Sequence, residues 1–354
     1  MSDLLQNTIK MIQPLDKEAM AKAQARQDML TKPQGSLGRL EEVSIRLAGI
    51  QEKALPRIEQ KAIITMAGDH GVVAEKVGNF PQEVTAQMVF NFLAGGAAIN
   101  AVAGQVGARV VVVDMGVAAD LGDKPQLVSR KIAAGTKNMT QGPAMTQEQA
   151  VEAIEAGIEV VTDEAAKGLD IVGTGDMGIG NTTSSAAIYA VMTRQAVHDV
   201  TGRGTGLTDE QLAHKVSVIQ RAIKTNCPDP KNPLDVLTKL GGFEIAGLVG
   251  VMLGAAARHI PVVIDGFISG AAALIATALA PELKNYLFAG HRSAEAGHRL
   301  GLEYMGMNPL IDLDMRLGEG TGSALGIFIV ETAARILAEM ATFGEAGVSD
   351  KEEE

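Results

Sequence analysis

One unit recurs along most of this chain. An apolar run of strand length meets a polar turn containing glycine, and an alanine-rich segment of helical character follows. Ala62 to Met66 runs into Ala67-Gly-Asp-His-Gly71, and Arg109 to Val113 into Asp114-Met115-Gly116. Leu169 to Val172 leads into Gly173-Thr-Gly-Asp-Met-Gly-Ile-Gly-Asn-Thr-Thr183, Ile260 to Ile264 into Asp265-Gly266, and Tyr286 to Ala289 into Gly290-His-Arg-Ser293. Leu310 to Leu313 approaches Leu317-Gly-Glu-Gly-Thr-Gly322 as the last unit. About six βα units predict an α/β fold: a doubly wound, mostly parallel, Rossmann-like sheet of about six strands. Right-handed crossovers bring every strand-to-helix switch to one edge of such a sheet, so all the glycine turns are expected to face one crevice, where ligands of these folds bind.

The chain before Pro56 reads differently. Asp16 to Leu30 has helix-forming composition, and beyond the break at Thr31-Lys-Pro-Gln-Gly-Ser36 a second helix places Leu40, Val43, Leu47 and Ile50 on one side. We therefore expect a small helical region over 1–57, joined by the C-terminal segment 342–354, and an α/β catalytic domain over 58–341. The formal net charge of -11 argues against a nucleic-acid partner, which needs a Lys/Arg surface to release counterions. Part of that charge, Asp350 and Glu352 to Glu354, reads as a solvated tail. A single cysteine, Cys227, rules out an intramolecular disulfide and fits a reducing cytoplasm. The amino terminus lacks signal-peptide character, and the longest apolar run, Phe267 to Ala280, is too short to span a bilayer and reads as a buried helix; no membrane partner is expected.

Glu319, flanked by glycines in the last switch, is the candidate catalytic base; the helix start from Gly320 and Thr321 to Ser323 offers N–H groups to an anion. The third switch suits a phosphate, because Gly178, Gly180, Asn181 and the hydroxyls of Thr182 and Thr183 converge at a helix start, although Thr182 would also serve as a helix cap. Gly173, Gly175 and Gly178, with Asp199 about twenty residues on, formally match the dinucleotide fingerprint. The match is rejected because Ser184 to Ala196 reads as helix and leaves no second strand for the acid to end. The six histidines show no H-E-x-x-H spacing, and no metal site is expected. Asp312, Asp314 and Arg316 alternate along an expected strand, where an ion-pair network on one face is the simpler reading. Met66, Met88, Met177 and Phe80 read as core or as an apolar slot for a flat ring.

Eight ordered segments together resemble the nicotinate-nucleotide:dimethylbenzimidazole phosphoribosyltransferases of cobalamin lower-ligand synthesis over nearly the full length. They are Thr31 to Gly38, Ala67 to Gly71, Pro81 to Met88, Met177 to Thr183, Gly242 to Gly247, Asp265 to Phe267, Gly290 to Ser293 and Arg316 to Gly322. The resemblance implies transfer of a 5-phosphoribosyl group from nicotinate mononucleotide to 5,6-dimethylbenzimidazole, with inversion at the anomeric carbon and without metal or cofactor. It implies a homodimer whose crevice the small helical region completes. It maps the general base onto Glu319, the aromatic acceptor site onto Pro81 to Met88 with Gln87 as a polar contact, and phosphate and ribose contacts onto Gly178, Gly180, Asn181 and Thr182 of the third switch, Lys215 and Ser293. From the residues themselves, Phe80 joins the acceptor slot, and Asp176, Gly320 and Thr321 join the phosphate and ribose site. Asp265 and His291, at their own switches, are expected to orient the ligand. The family commonly carries glutamate where this chain has Asp176, so that position is not given the base role. A nicotinamide-dependent oxidoreductase and a non-catalytic nucleotide-binding regulator are the alternatives from other classes.

Overall fold

The computed structural model describes residues 2–204 and 206–349. The acidic run from Asp350 lies outside the described residues. Three N-terminal helices, α1 (Asp3–Met11), α2 (Lys17–Met29) and α3 (Arg39–Gln51), precede the first strand. The expected hairpin is α2 and α3, and α1 was not anticipated from the sequence. Asp16 caps α2 by accepting from Glu18 and Ala19 N–H groups at 2.8 and 3.1 Å, the usual remedy for unpaired donors at a helix start.

Six parallel strands follow: β1 (Lys61–Gly68), β2 (Arg109–Gly116), β3 (Leu127–Ser129), β4 (Ile171–Met177), β5 (Val262–Ile264) and β6 (Leu287–Ala289). Their order in the sheet is β3-β2-β1-β4-β5-β6, so the direction of winding reverses between β1 and β4. That reversal opens a crevice at the carboxyl ends of the strands. β1 is the central strand and is buried from Ala62 onwards. A parallel strand covered on both faces needs a continuous apolar run, which is what Ala62 to Ala67 supplies.

Helices α4 (Glu83–Leu93) and α5 (Ala98–Val106) connect β1 to β2, α6 (Gln147–Ala166) precedes β4, and α7 (Asn181–Thr193) follows it. Side chains assign the two faces of the sheet. Ile63 meets Gly320 at the start of the long helix Thr321–Glu339, whereas Met66 meets Gly247 of the helix Phe243–Ala256. Gly157 of α6 lies so close to this last helix that a Cβ on it would sit 2.0 Å from the Gly247 carbonyl oxygen. Backbone meets backbone there, which only glycine permits. Phe267–Leu279 is the expected buried helix.

Among the described residues two stretches are apolar and long enough to cross a membrane, Glu83–Val106 and Thr321–Glu339. The first is broken at Gly95 (φ +77°) between α4 and α5, and the second packs on β4, β5 and β6.

One expected strand is absent. Leu310 to Leu313 forms only a bridge, Ile311 to His291, and Asp314 turns the chain away at φ +54°. The sixth strand is instead Leu127–Ser129 on the opposite edge. The backbone of 310–315 bonds to the turn after β6, as in Leu310 N–H to Ala289 O at 2.8 Å and Ala294 N–H to Met315 O at 3.0 Å. Asp312, Asp314 and Arg316 therefore share no strand face. Asp312 pairs with Arg292, and Arg316 donates to the Gly204 carbonyl at 3.2 Å.

The chain end returns to the first helices. Leu30 bridges Thr342, Thr31 N–H donates to Ala341 O at 3.0 Å, and Arg26 donates to Leu337 O at 2.7 Å.

Candidate active site

The last switch folds around Glu319. Gly318, Glu319 and Gly320 have φ of +86°, +64° and +103°. Glycine adopts this region freely, whereas a glutamate there costs about 1 kcal/mol, so the surroundings must hold it. They do so through three bonds. Glu319 N–H donates to Asp176 O at 3.2 Å, Thr65 Oγ1 donates to Glu319 O at 2.9 Å, and Ile99 N–H donates to Oε2 at 3.1 Å. The side chain is buried and lines a cleft of about 500 Å³ at the carboxyl end of the sheet. Burial raises its pKa above the ordinary carboxylate value, and the Ile99 N–H pulls it partly back.

The helix start beside it is not free to receive an anion. Asp265, at the end of β5, accepts from Gly320 N–H at 3.1 Å, Gly322 N–H at 2.7 Å and Ser323 N–H at 3.2 Å. Thr321 closes onto Gly318 through both its N–H and its hydroxyl. The phosphate contacts expected of Gly320 and Thr321 meet donors already engaged: the Asp265 carboxyl takes the Gly320 N–H, the Gly318 carbonyl takes both Thr321 donors, and neither residue lines the cleft. Asp265 does orient, but what it orients is the Glu319 loop. Burial lifts its pKa to about 7, against the pull of backbone N–H groups from Gly322, Gly320, Ser323 and Gly266. His291 Nε2 lies 3.8 Å from Asp265 Oδ1, and burial lowers its pKa.

Asp176 lies at the end of β4 on the cleft wall. Its Oδ2 accepts from Asn181 Nδ2 at 3.0 Å, while Oδ1 has no partner. Burial first, then the charges of Asp265 and Glu244, and more weakly Glu319, push its pKa well above the ordinary value, against the pull of Asn181. Beneath this wall His70 Nε2 lies 2.6 Å from Glu244 Oε1, and His70 Nδ1 lies 3.0 Å from Ser184 Oγ. All three are fully buried. Burial alone would lower the His70 pKa, but the Glu244 carboxylate outweighs it and the net shift is upward.

The basic end of the cleft is built from α7 and the helix Asp209–Asn226. Lys215 Nζ donates to Thr182 Oγ1 at 2.8 Å, so Thr182 is a lysine partner, and the α7 cap position falls to Gly180 without a side-chain bond. Lys215 is almost wholly buried, which lowers its pKa to about 8 against the opposing pull of Glu295. Gly178, Gly180, Asn181 and Ser293 line the same cleft. Phe80, Val84, Met88, Met177 and Phe267 give it apolar surface. Met66 lies in the core instead. Gln87, on α4 one residue before Met88, is exposed and does not line the cleft of this chain. Consecutive residues of an α-helix point roughly 100° apart, so with Met88 on the cleft face its neighbour Gln87 is turned off it.

Arg203, Leu207, Glu295, Arg316 and Leu317 also line the cleft and were not foreseen as site residues. Arg203 and Leu207 come from a connecting segment without a motif, Glu295 lies just past the Gly290 to Ser293 segment, and Arg316 and Leu317 open the Arg316 to Gly322 segment, where neither was assigned a site role. The formal dinucleotide match fails on structure as well. Gly173 and Gly175 lie inside β4, and Asp199 is exposed on a short helix and ends no strand. Among the described residues no group of three or more His, Cys, Asp or Glu side chains is placed to hold a metal ion.

Comparison with known proteins gives this cleft a lineage. Residues 12–348 match the family described as Phosphoribosyltransferase. A nicotinate-nucleotide–dimethylbenzimidazole phosphoribosyltransferase of Dehalococcoides mccartyi is 59% identical over 350 residues, covering 99% of each chain. That of Desulforudis audaxviator is 58% identical over 347 residues, covering 98% of each. The solved structure of the Thermus thermophilus enzyme of the same name superposes with a TM-score of 0.90 at 46% identity, covering 95% of this chain and 100% of that one. The chain belongs to the nicotinate-nucleotide–dimethylbenzimidazole phosphoribosyltransferase family.

Proposed function

We propose that this chain transfers the 5-phosphoribosyl group of nicotinate mononucleotide to 5,6-dimethylbenzimidazole, giving α-ribazole 5′-phosphate and nicotinate with inversion at the anomeric carbon. The observation that carries the reading is the polarity of one cleft. A buried carboxylate, Glu319, and an apolar wall with Phe80 and Met88 share it with Lys215 and Thr182. A flat apolar base and a phosphorylated sugar fit such a site together.

The leaving pyridinium regains its electron pair when the glycosidic bond breaks, so it needs no general acid. The attacking benzimidazole nitrogen gains positive charge, and the ring's other N–H becomes acidic. Glu319, with Oε2 held by Ile99 N–H, takes that proton and its charge stabilises the cationic ring beforehand. Asp176, whose pKa burial and its acidic neighbours raise and whose Oδ2 accepts from Asn181, is not given the base role. The Lys215 end holds the phosphate, and Ser293 and the Gly178 to Thr182 turn complete it.

Incubating the protein with both substrates and separating the products by chromatography tests this. Nicotinate and α-ribazole 5′-phosphate should appear in equal amounts. Tight nucleotide retention without release would favour a binding regulator, and hydride transfer with NAD an oxidoreductase. We further propose a cytoplasmic homodimer in which residues 1–57, with the returning C-terminal segment, form a small helical unit completing the crevice. Light scattering at a monomer's mass of 36.9 kDa would refute the dimer.

A further inference from the structure

Glu295 stands in the turn after β6 and has no part in the chemistry above. Its carboxyl is buried, lines the cleft, and accepts from Gly204 N–H. Its Oε2 has no hydrogen-bond partner, and a Cβ on Gly202 would lie 1.8 Å from that oxygen. The backbone of Gly202 is therefore pressed directly against the carboxyl, which only a glycine allows. Burial raises the Glu295 pKa, while the charges of Lys215 and Arg316 and the Gly204 N–H hold it down.

Around Lys215 the cleft collects Asp176 from β4, Arg203 from the loop after α7, His291 and Glu295 from beyond β6, and Arg316 and Glu319 from the last switch. Arg203 is engaged with Asp209, and Arg316 with the Gly204 carbonyl. A Cβ on Gly204, whose N–H donates to Glu295, would lie 3.7 Å from Lys215 Nζ, so the Glu295 carboxyl is held beside that ammonium and its charge supports it against burial. A lysine this deeply buried loses its proton easily unless an anion faces it.

We propose that Glu295 is a positioning residue for nucleotide binding: it keeps Lys215 charged in the free enzyme and fastens the Gly202 to Gly204 backbone over the phosphate end of the cleft. An incoming phosphate dianion then meets a cation already formed. The consequence is a pH limit on binding that Glu295 sets without touching the reacting atoms.

The test is the pH dependence of KM for nicotinate mononucleotide at saturating dimethylbenzimidazole, from pH 7 to 9.5, where the nucleotide phosphate stays dianionic. In the unaltered protein KM should hold steady and rise from about pH 8 as Lys215 deprotonates. In Glu295→Gln, which keeps the carbonyl acceptor for Gly204 but removes the charge, the rise should begin roughly one pH unit lower. KM at pH 8 would then be about fivefold higher, with kcat within about twofold. Glu295→Asp keeps the charge and should keep the wild-type profile. Lys215→Arg, whose guanidinium does not titrate in this range, should lose the alkaline rise. A Glu295→Gln profile that superimposes on the wild type, a Glu295→Asp profile that moves equally far, or an alkaline rise that survives Lys215→Arg would overturn the proposal. The inference rests on the phosphoribosyl-transfer reading. Nicotinate release by the unaltered protein tests that reading by itself, so the two can fail separately.

Discussion

Replacing Glu319 by glutamine isolates the proton-accepting role from everything else this side chain does. Glutamine has the same shape, its carbonyl can still accept the Ile99 N–H bond now measured at 3.1 Å, and the backbone bonds to Asp176 and Thr65 do not involve the side chain. The positive φ costs the two residues about the same. What is lost is an oxygen able to take a proton, together with a negative charge beside the developing cation, because the amide nitrogen only donates. A general base is worth roughly 10²–10⁴ in rate, about 2.7–5.4 kcal/mol of barrier. We therefore expect kcat to fall by that factor in steady-state release of nicotinate, with KM for the nucleotide within about twofold, because the Lys215 end is untouched. Burial raises the Glu319 pKa, so the wild-type kcat should decline as pH falls through that raised value, and the residual rate of the variant should be flat there. A variant retaining kcat within about fivefold, or one changed in KM alone, would remove Glu319 from the proton transfer.

Other perturbations separate the supporting parts. Asp176→Asn keeps an oxygen to accept from Asn181 and mimics the neutral form that burial and its acidic neighbours favour, so kcat should change by less than about tenfold and the acid limb should persist; loss of that limb would give Asp176 the role assigned to Glu319. His70→Ala strands the buried Glu244 carboxylate, and breaking a buried pair in this way costs about 3–5 kcal/mol, read as a lowered melting temperature. His70 is raised in the folded state, so the share of this loss that depends on its charge is present in full below the unfolded value of about 6.5 and vanishes as pH rises through the folded one.

The β-strand, turn and helix repeat was legible because a parallel sheet covered on both faces favours apolar runs, and β1 and β2 carry them. β3 was invisible because three residues on a sheet edge carry no periodicity. Leu310 to Leu313 misled for the opposite reason: it is extended and bonded, but to the turn after β6, a long-range partnership that no local pattern announces. The glycines around Glu319 marked the last switch, yet nothing local could reveal that Asp265, 55 residues away, would occupy the Gly320 N–H. Met88 came from a motif that also held Gln87, and the rotation of α4 decided which of the two faced inward. Arg203 and Leu207 reach the cleft from a connecting segment, where spacing says little about direction.

The position of the acceptor ring tests the central claim most directly. In a crystal structure of this protein with 5,6-dimethylbenzimidazole bound, the ring should lie against Phe80 and Met88 with one N–H about 2.7–3.0 Å from the Glu319 carboxylate oxygen that Ile99 does not hold. A ring seated in the cleft with both nitrogens beyond reach of Glu319, or paired instead with Asp176, would contradict the account.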